Sequence, residues 1–489
     1  MKPITTRREF LGHSAAILAV SSLPAVVSGQ SPSTAAALTL SVNAAVKSAT
    51  VPMNFTGLSY ESAQLGHPEF FSAQNAALIA LVRRLGPQGV LRIGGNTSDY
   101  TRWSPDDADT ARNNTSSAIN PDAGTAAKTA SIITPQAIRN LNDFMVATGW
   151  QLIYGLDLRR GTPENAAAEA TFVAKTLGSR LLAFQIGNEP DMNHNDGEKQ
   201  RWTFDQYWSQ FVIFRDAIRK AVPNAPFAGP DIAKELDWIT NMANHKPDLV
   251  MLTGHYYAEG PPKDPAMTLE FLLKRGRNPE SGEIATVHKA TQMLGKPYRM
   301  SEGNSCFHGG KPGVSDTFAS ALWSADYMLQ LAQAGYIGVN LHGGGEGLYT
   351  PIAGSIENGF TARPVYYGML LAQDFVGCTL VEAKLGGQTS AANVTAFAAT
   401  QGKQYKLAVF NKSSLLVSIA IDGLTASVHS AAVSLLQAPA IDSKDGVTFG
   451  GSAVSKDGSF TPRSQSTLSL RHGKASLDLP PYTAALITT

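Results

Sequence analysis

Eight short apolar runs, most of them followed by a stretch of helical character, recur between residues 55 and 375, and this alternation constrains the fold more than any other feature. The runs are Phe55–Ser62, Val90–Gly94, Gln151–Leu158, Leu182–Gly187, Phe227–Pro230, Leu249–His255, Tyr298–Ser301 and Gly335–Leu341. Between them, Asn75–Leu85, Pro135–Ala147, Glu164–Leu177, Phe204–Val222, Ile284–Leu294 and Asp316–Ala334 read as amphipathic helices, with a shorter one expected around Ala233–Ala243. Several begin after Thr, Ser or Asp and stop at Gly or Pro, as capping requires. Strand and helix alternating eight times over roughly 300 residues is the pattern of an α/β chain closing into a (β/α)₈ barrel, the TIM barrel. A doubly wound open sheet is the competing arrangement. It advertises a glycine-rich phosphate loop after its first strand, and "GLSYESAQ" is not such a loop.

Beyond Gly377 the helical period disappears. "YKLAVFN", "LLVSIAI", "SLDL" and "YTAALIT" are short alternating or β-branched runs between Gly, Pro, Asn and Ser, which predicts a β-sandwich over 376–489. Ahead of the barrel, "LTLSVN" also alternates, with Leu38, Leu40 and Val42 on one face and Thr39, Ser41 and Asn43 on the other. The expected organisation is therefore a barrel over 51–375, with a strand from 30–50 joining the sandwich.

Residues 1–29 read as a separate element. Thr6-Arg7-Arg8-Glu9-Phe10-Leu11 is a twin-arginine pattern, followed by the apolar run Ala15–Val27 and small residues near Gly29. That run is too short for a membrane anchor and is broken by Ser21, Ser22 and Pro24. A periplasmic or secreted product is expected. The 40 basic and 39 acidic residues leave a net charge of +1, which offers no basic field for nucleic acid or an anionic membrane. Cys306 and Cys378 are the two cysteines, compatible with one bridge or with two buried thiols. No metal-ligand spacing and no phosphate loop is present, so no cofactor is implied.

Barrels of this kind place their chemistry where strands pass into the following loops. Here those tips are polar while the strand bodies are mostly apolar. They carry Glu61, Arg92, Asp157, Asn188 with Glu189, Asp231, His255 to Tyr257, Glu302 and His342. Glu189 ends the fourth strand and Glu302 the seventh, on opposite sides of the mouth. Two facing carboxylates suit glycoside hydrolysis, in which one donates a proton to the leaving oxygen and the other attacks the anomeric carbon or activates water. Like charge at short range raises the proton affinity of one member, and hydrogen-bond donors beside the other keep it ionised. Each glutamate alone would pass for a strand-end residue in a structural ion pair; the pair makes that reading weak. Arg92 either braces the tip carboxylates from beneath or makes an ordinary ion pair.

"LRIGGNTSDY" (91–100), "GNEPD" (187–191) and "GG" followed by "SDTFASALWSADYM" (309–328) resemble, in this order, glycoside hydrolase family 79, which contains heparanase and β-glucuronidases. The likeness spans residues 55 to about 365, and "LPPYTAALI" resembles that family's sandwich. The resemblance implies Glu189 as acid/base and Glu302 as nucleophile in a double displacement that retains anomeric configuration. It places Asn188 on the sugar 2-hydroxyl and the Tyr257 hydroxyl on Glu302. A rim aromatic packed on a neighbouring loop is the other reading of Tyr257.

A glucuronide differs from a glucoside by a carboxylate at C6, so specificity needs an anion site. "CFHGGKPG" (306–313) is the candidate, with Gly309 and Gly310 able to turn backbone N–H groups toward an anion and Lys311 supplying charge. Tyr349, in "GEGLYTP", offers a hydroxyl, and Glu61 takes sugar hydroxyls from the opposite side. The basic cluster near the site is small, Lys311 with Lys274, Arg275 and Arg277. Exo cleavage of a terminal β-glucuronosyl unit is therefore expected over endo cleavage of sulfated chains, the partners being β-glucuronide glycans or glycosides. The alternatives are a heparanase-like endo-glucuronidase, a β-xylosidase, arabinofuranosidase, endoglucanase or β-glucosidase on the same machinery, or a carbohydrate-binding protein with a decayed site.

Overall fold

Eight parallel strands close on themselves in the computed structural model of the chain, which describes residues 36–112, 131–193, 200–274, 282–344, 347–387, 392–464 and 466–489. The export-signal reading of 1–29 lies outside the described residues, as do Gly345, Arg275 and Arg277. After an N-terminal strand β1 (Ala36–Thr50), the barrel runs β2 (Thr56–Glu61), β3 (Val90–Gly94), β4 (Gln151–Leu156), β5 (Leu181–Ile186), β6 (Phe227–Ile232), β7 (Met251–Glu259), β8 (Tyr298–Cys306) and β9 (Val339–Gly343), with β9 returning to pair with β2. The chain is thus a TIM barrel with an accessory sheet domain.

The helices are α1 (Ala76–Arg84), α2 (Pro135–Thr148), α3 (Pro163–Leu177), α4 (Phe204–Ala221), α5 (Asp237–Asn244), α6 (Leu269–Lys274), α7 (Gly282–Leu294), α8 (Phe318–Gln333) and α9 (Pro364–Gln373). Local chemistry sets their ends. Asn75 accepts from the Leu78 N–H at 3.3 Å to start α1, and Thr203 with Gln206 forms a reciprocal capping box on α4. Gly149 in the left-handed region (φ 78°) stops α2.

Alternation along the strands builds the barrel interior in layers. Val90, Ile153, Ala183, Ala228 and Met251 form a small apolar cluster near the strand starts. Two residues further on, the period of two puts Arg92 after Val90, Gln185 after Ala183 and Thr253 after Met251, all fully buried. An apolar floor therefore carries a polar storey.

Two strands run beyond their expected ends. β7 continues through Tyr257 to Glu259, and β8 through Glu302 to Cys306, pairing Glu302 with His255 and Asn304 with Tyr257. The register breaks between Met300 and Glu302, an irregularity that re-aims side chains beside a site. Glu302 accordingly stands within its strand and not at its tip.

The accessory unit is one ten-stranded ladder that curls over on itself. Its members include β10 (Thr379–Gly386), β11 (Val394–Gln401), β12 (Gln404–Asn411), β13 (Val417–Asp422), β14 (Ser430–Gln437), β15 (Thr448–Phe449), β16 (Ser466–Ser469), β17 (Ala475–Leu479) and β18 (Thr483–Thr488). β1 is the tenth, antiparallel to β10 and parallel to β13. Leu40, Leu407, Val409, Ile419, Val433 and Ile487 share one core, so distant strands of the ladder face each other. The alternate residues Ala408, Phe410, Ala484 and Leu486 join the barrel's core instead. Both cysteines are buried free thiols. Among the described residues, no helix is long and apolar enough to cross a membrane.

Candidate active site

Arg92 organises the polar storey. Its Nε donates to Gln185 Oε1 at 3.0 Å, Nη1 to Ser59 Oγ at 3.3 Å and Glu302 Oε2 at 2.6 Å, and Nη2 to Asn188 Oδ1 at 2.8 Å and Asp231 Oδ2 at 2.7 Å. A guanidinium has five N–H donors, and all five are used in a fully buried position. Gln185 and Ser301 also donate to Asp231 Oδ1.

Glu302 therefore receives Arg92 on one oxygen, and the Tyr257 hydroxyl donates to the other at 2.7 Å. His255 Nδ1 lies 3.8 Å and His342 Nδ1 3.5 Å away. Burial would raise its pKa, but His342, His255 and Arg92 and the Tyr257 hydrogen bond outweigh it and bring it down to about 2. Glu302 is held as an anion.

Glu189 sits on a turn of left-handed conformation (φ 45°, ψ 52°), which is strained for a non-glycine residue. The turn lifts its side chain into the mouth, where it is 20% exposed. His255 Nδ1 stands 2.9 Å from its Oε1. Burial raises its proton affinity, with Glu302 and Asp191 adding to the rise while the His255 contact opposes it. The two glutamates are thus pushed in opposite directions. One oxygen of each lies with His255 Nδ1 in a triangle whose sides are all within 4.8 Å.

His255 bridges this pair to the layer below, its Nε2 being 3.2 Å from Asp231 Oδ2. Burial opposes its charge, but Asp231 and Glu302 raise its pKa well above the ordinary imidazole value. The two N–H groups of an imidazolium point one at Glu189 Oε1 and one toward Asp231 Oδ2, with Glu302 beside the first. Asp231, by contrast, is held below the usual carboxylate range: burial is outweighed by His255 and Arg92. The Glu189, His255 and Glu302 triangle also has the donor set of a small cation site. A divalent ion there would need the His255 Nδ1 proton removed and would share Glu302 with the Arg92 cation. The donor set fits protons better than metal.

The remaining sequence-derived residues fall around this centre. Asn188 is buried, its carbonyl on Arg92 and its amide donating to Asn96 Oδ1 at 3.2 Å. Glu61 Oε2 accepts the Thr97 N–H at 2.8 Å and hydroxyl at 2.6 Å, and Oε1 is 3.4 Å from His342 Nε2. Gly309 (φ 82°) and Gly310 (φ 94°) are in the conformation that glycine alone adopts freely. A Cβ on Gly310 would meet the Tyr349 N at 3.0 Å, and Leu348 N–H donates to Gly309 O at 2.8 Å, so the two loops adjoin. Tyr349 stands 6.1 Å from the Tyr257 ring and 5.9 Å from His342. The Lys311 ammonium donates to the Asp264 carbonyl. Sequence reasoning assigned no role to Asp231 or Gln185. The available signal was a polar residue inside an otherwise apolar strand, as in "LLAFQIG".

A closed (β/α)₈ barrel with a facing pair of oppositely tuned carboxylates is the class that fold and site define, and it is the architecture of barrel glycoside hydrolases. No family model matches the chain. The particular likenesses are to a Neurospora crassa β-glucuronidase, 24% identical over 60% of this chain and 56% of that protein, and an Aspergillus niger β-glucuronidase, 25% identical over 67% and 65%. The chain thus matches rather less than two thirds of the length of these relatives. A solved structure, the 4-O-α-L-rhamnosyl-β-D-glucuronidase of Fusarium oxysporum, superposes with a TM-score of 0.71 at 18% identity, covering 92% of this chain and 100% of that one. The resemblance to glycoside hydrolase family 79 holds in these comparisons.

Proposed function

We propose that the chain is an exo-acting retaining β-glucuronidase, releasing terminal β-D-glucuronosyl units through a covalent glycosyl-enzyme. The supporting observation is the carboxylate pair: oxygens within 4.8 Å and opposed proton affinities. Retaining enzymes hold their carboxyls about 5–5.5 Å apart, whereas inversion needs about 6.5–9.5 Å to admit water. Glu302 attacks the anomeric carbon as Glu189 protonates the departing oxygen and the glycosidic bond breaks. Glu189, now ionised, takes a proton from water, which attacks the same carbon and frees Glu302. Arg92 and Tyr257 keep Glu302 anionic and oriented, and the second amide N–H of Asn188 meets the 2-hydroxyl. The glucuronide preference is supported by the relatives' names and by the adjoining Gly309–Gly310 and Tyr349 loops, whose donors receive the C6 carboxylate. Export by the twin-arginine route would place this activity outside the cytoplasm.

The enzyme is expected to release glucuronic acid from p-nitrophenyl β-D-glucuronide, with the β-anomer appearing first by proton NMR. Equal turnover of the matching glucoside would remove the C6-carboxylate assignment, and first appearance of the α-anomer would remove the double displacement.

A further inference from the structure

Glu189 holds a conformation that its local sequence disfavours. A left-handed backbone (φ 45°, ψ 52°) is uncommon for a residue with a Cβ, and the following Pro190 steers it toward extended backbone. Such a position persists only where the surroundings impose it. The Met192 N–H donates to Glu189 O at 2.8 Å and closes the turn from within. That bond does not fix the turn against the barrel.

Asp191 does. Its buried carboxylate reaches the loop that follows β6. There Oδ1 accepts the Ala233 N–H at 2.9 Å, and Oδ2 accepts those of Lys234 at 2.7 Å and Glu235 at 2.9 Å. Three consecutive N–H groups converging on one carboxylate form a nest. The Lys234 and Glu235 side chains are exposed, so the loop turns its backbone to Asp191 and its charges to solvent.

The loop held in this way leaves directly from Asp231. Asp231 is itself left-handed (φ 62°), and its carbonyl accepts the Glu189 N–H at 3.0 Å. Its carboxylate is bound by Arg92, which also binds Glu302. A path of contacts thus runs from the Glu189 turn through Asp191 and Asp231 to Glu302.

We propose that Asp191 is a positioning residue for the acid/base: it clamps the strained turn to the loop after β6 and so sets Glu189 where it meets the leaving oxygen. The proposal rests on the glucuronidase reading and adds to it the residue that holds one carboxylate in register with the other.

The leaving group separates this role from a merely structural one. A displaced acid slows cleavage where the leaving oxygen needs its proton, and spares leaving groups that depart as stable anions. The full-length enzyme is assayed on phenyl β-D-glucuronide and on the activated 2-chloro-4-nitrophenyl β-D-glucuronide. Asp191→Ala removes the clamp. Asp191→Asn keeps the shape but turns an amide N–H toward the nest. Both are expected to lower kcat/KM on the phenyl substrate about 10–100-fold more than on the activated one, part of the ~10²–10⁴-fold that general acid catalysis contributes. Equal losses on the two substrates, or no loss on either, overturn the clamp. If Asp191→Ala fails to fold, the near-isosteric Asp191→Asn decides by the same ratio. A wild type that cleaves neither substrate overturns the glucuronidase reading, whereas an active wild type with an unchanged ratio in the variants overturns the clamp alone.

Discussion

Arg92 shows how one side chain converts strand geometry into chemistry. Its five donors tie β3 to residues on or just past four other strands, β2, β5, β6 and β8, so Glu302 cannot change its protonation without disturbing Asp231 and Asn188. Tyr257 is the more separable contributor, because it supplies one hydrogen bond and nothing beneath it depends on its hydroxyl. A hydrogen bond to a charged group contributes about 1.5–3 kcal/mol, so Tyr257→Phe is expected to lower kcat/KM about 10–100-fold. The pH profile carries the sign. Glu302 must be ionised, so the acid limb follows its pKa, now about 2. Losing a donor that favours the anion raises that pKa and moves the acid limb to higher pH. The alkaline limb follows loss of the Glu189 proton, whose affinity burial raises, and is expected to stay in place. A fall in rate with a stationary acid limb would show that Tyr257 acts on something other than Glu302.

At the level of elements, the legible parts were those whose two faces differ. Helices such as α4 bury Phe204, Tyr207, Phe211 and Phe214 on one side and show Asp205 and Gln206 on the other. α9 was not expected because nine of its ten residues are buried, leaving no polar face to mark a period. The long tails of β7 and β8 were equally hidden: their polar residues look like loop, yet they pair with each other side by side in the barrel wall. The same logic governs the site. Glu189 and Glu302 stood out as charges where apolar runs end, while Asp231 owes its part to Arg92 and His255, contacts no local pattern encodes. α9 also yields a prediction. It packs on α8 through Gly368, where a Cβ would collide with the Ala321 carbonyl and Ser324 Oγ and lie 3.0 Å from the Ala325 N. Backbone cannot step aside as a side-chain tip can, so Gly368→Ala should cost about 1–3 kcal/mol or slightly more. A lowered Tm with kcat/KM intact at 25 °C is the expected result, since neither helix carries a catalytic group.

Over the whole molecule, the barrel and the curled sheet are joined by more than apolar contact. The first N–H groups of α8, which a helix leaves unpaired, donate to carbonyls of the sheet unit: Phe318 to Ser443 at 2.8 Å and Ala319 to Ile441 at 3.0 Å. Further along the same helix, Asp326 meets Lys412 of the sheet at 2.5 Å, each side chain 3% exposed, and Thr395 donates to its other oxygen at 2.7 Å. Burying two charges is costly, and their attraction roughly offsets that cost, whereas removing one partner strands the other. Lys412→Met is therefore expected to destabilise by about 3–5 kcal/mol. Adding Asp326→Leu removes the stranded charge and should recover most of that loss, because a well-packed apolar pair commonly matches a buried ion pair. Thermal melts of the two variants beside the wild type make the comparison. If Lys412→Met melts like the wild type, the pair does not hold the units together. If the double variant melts no higher than the single, the damage came from packing around the lysine stem. A large single loss with recovery in the double variant would make α8 a strut shared by both units, holding its N-terminal turn and the barrel strands beside it to the sheet at the chain's far end.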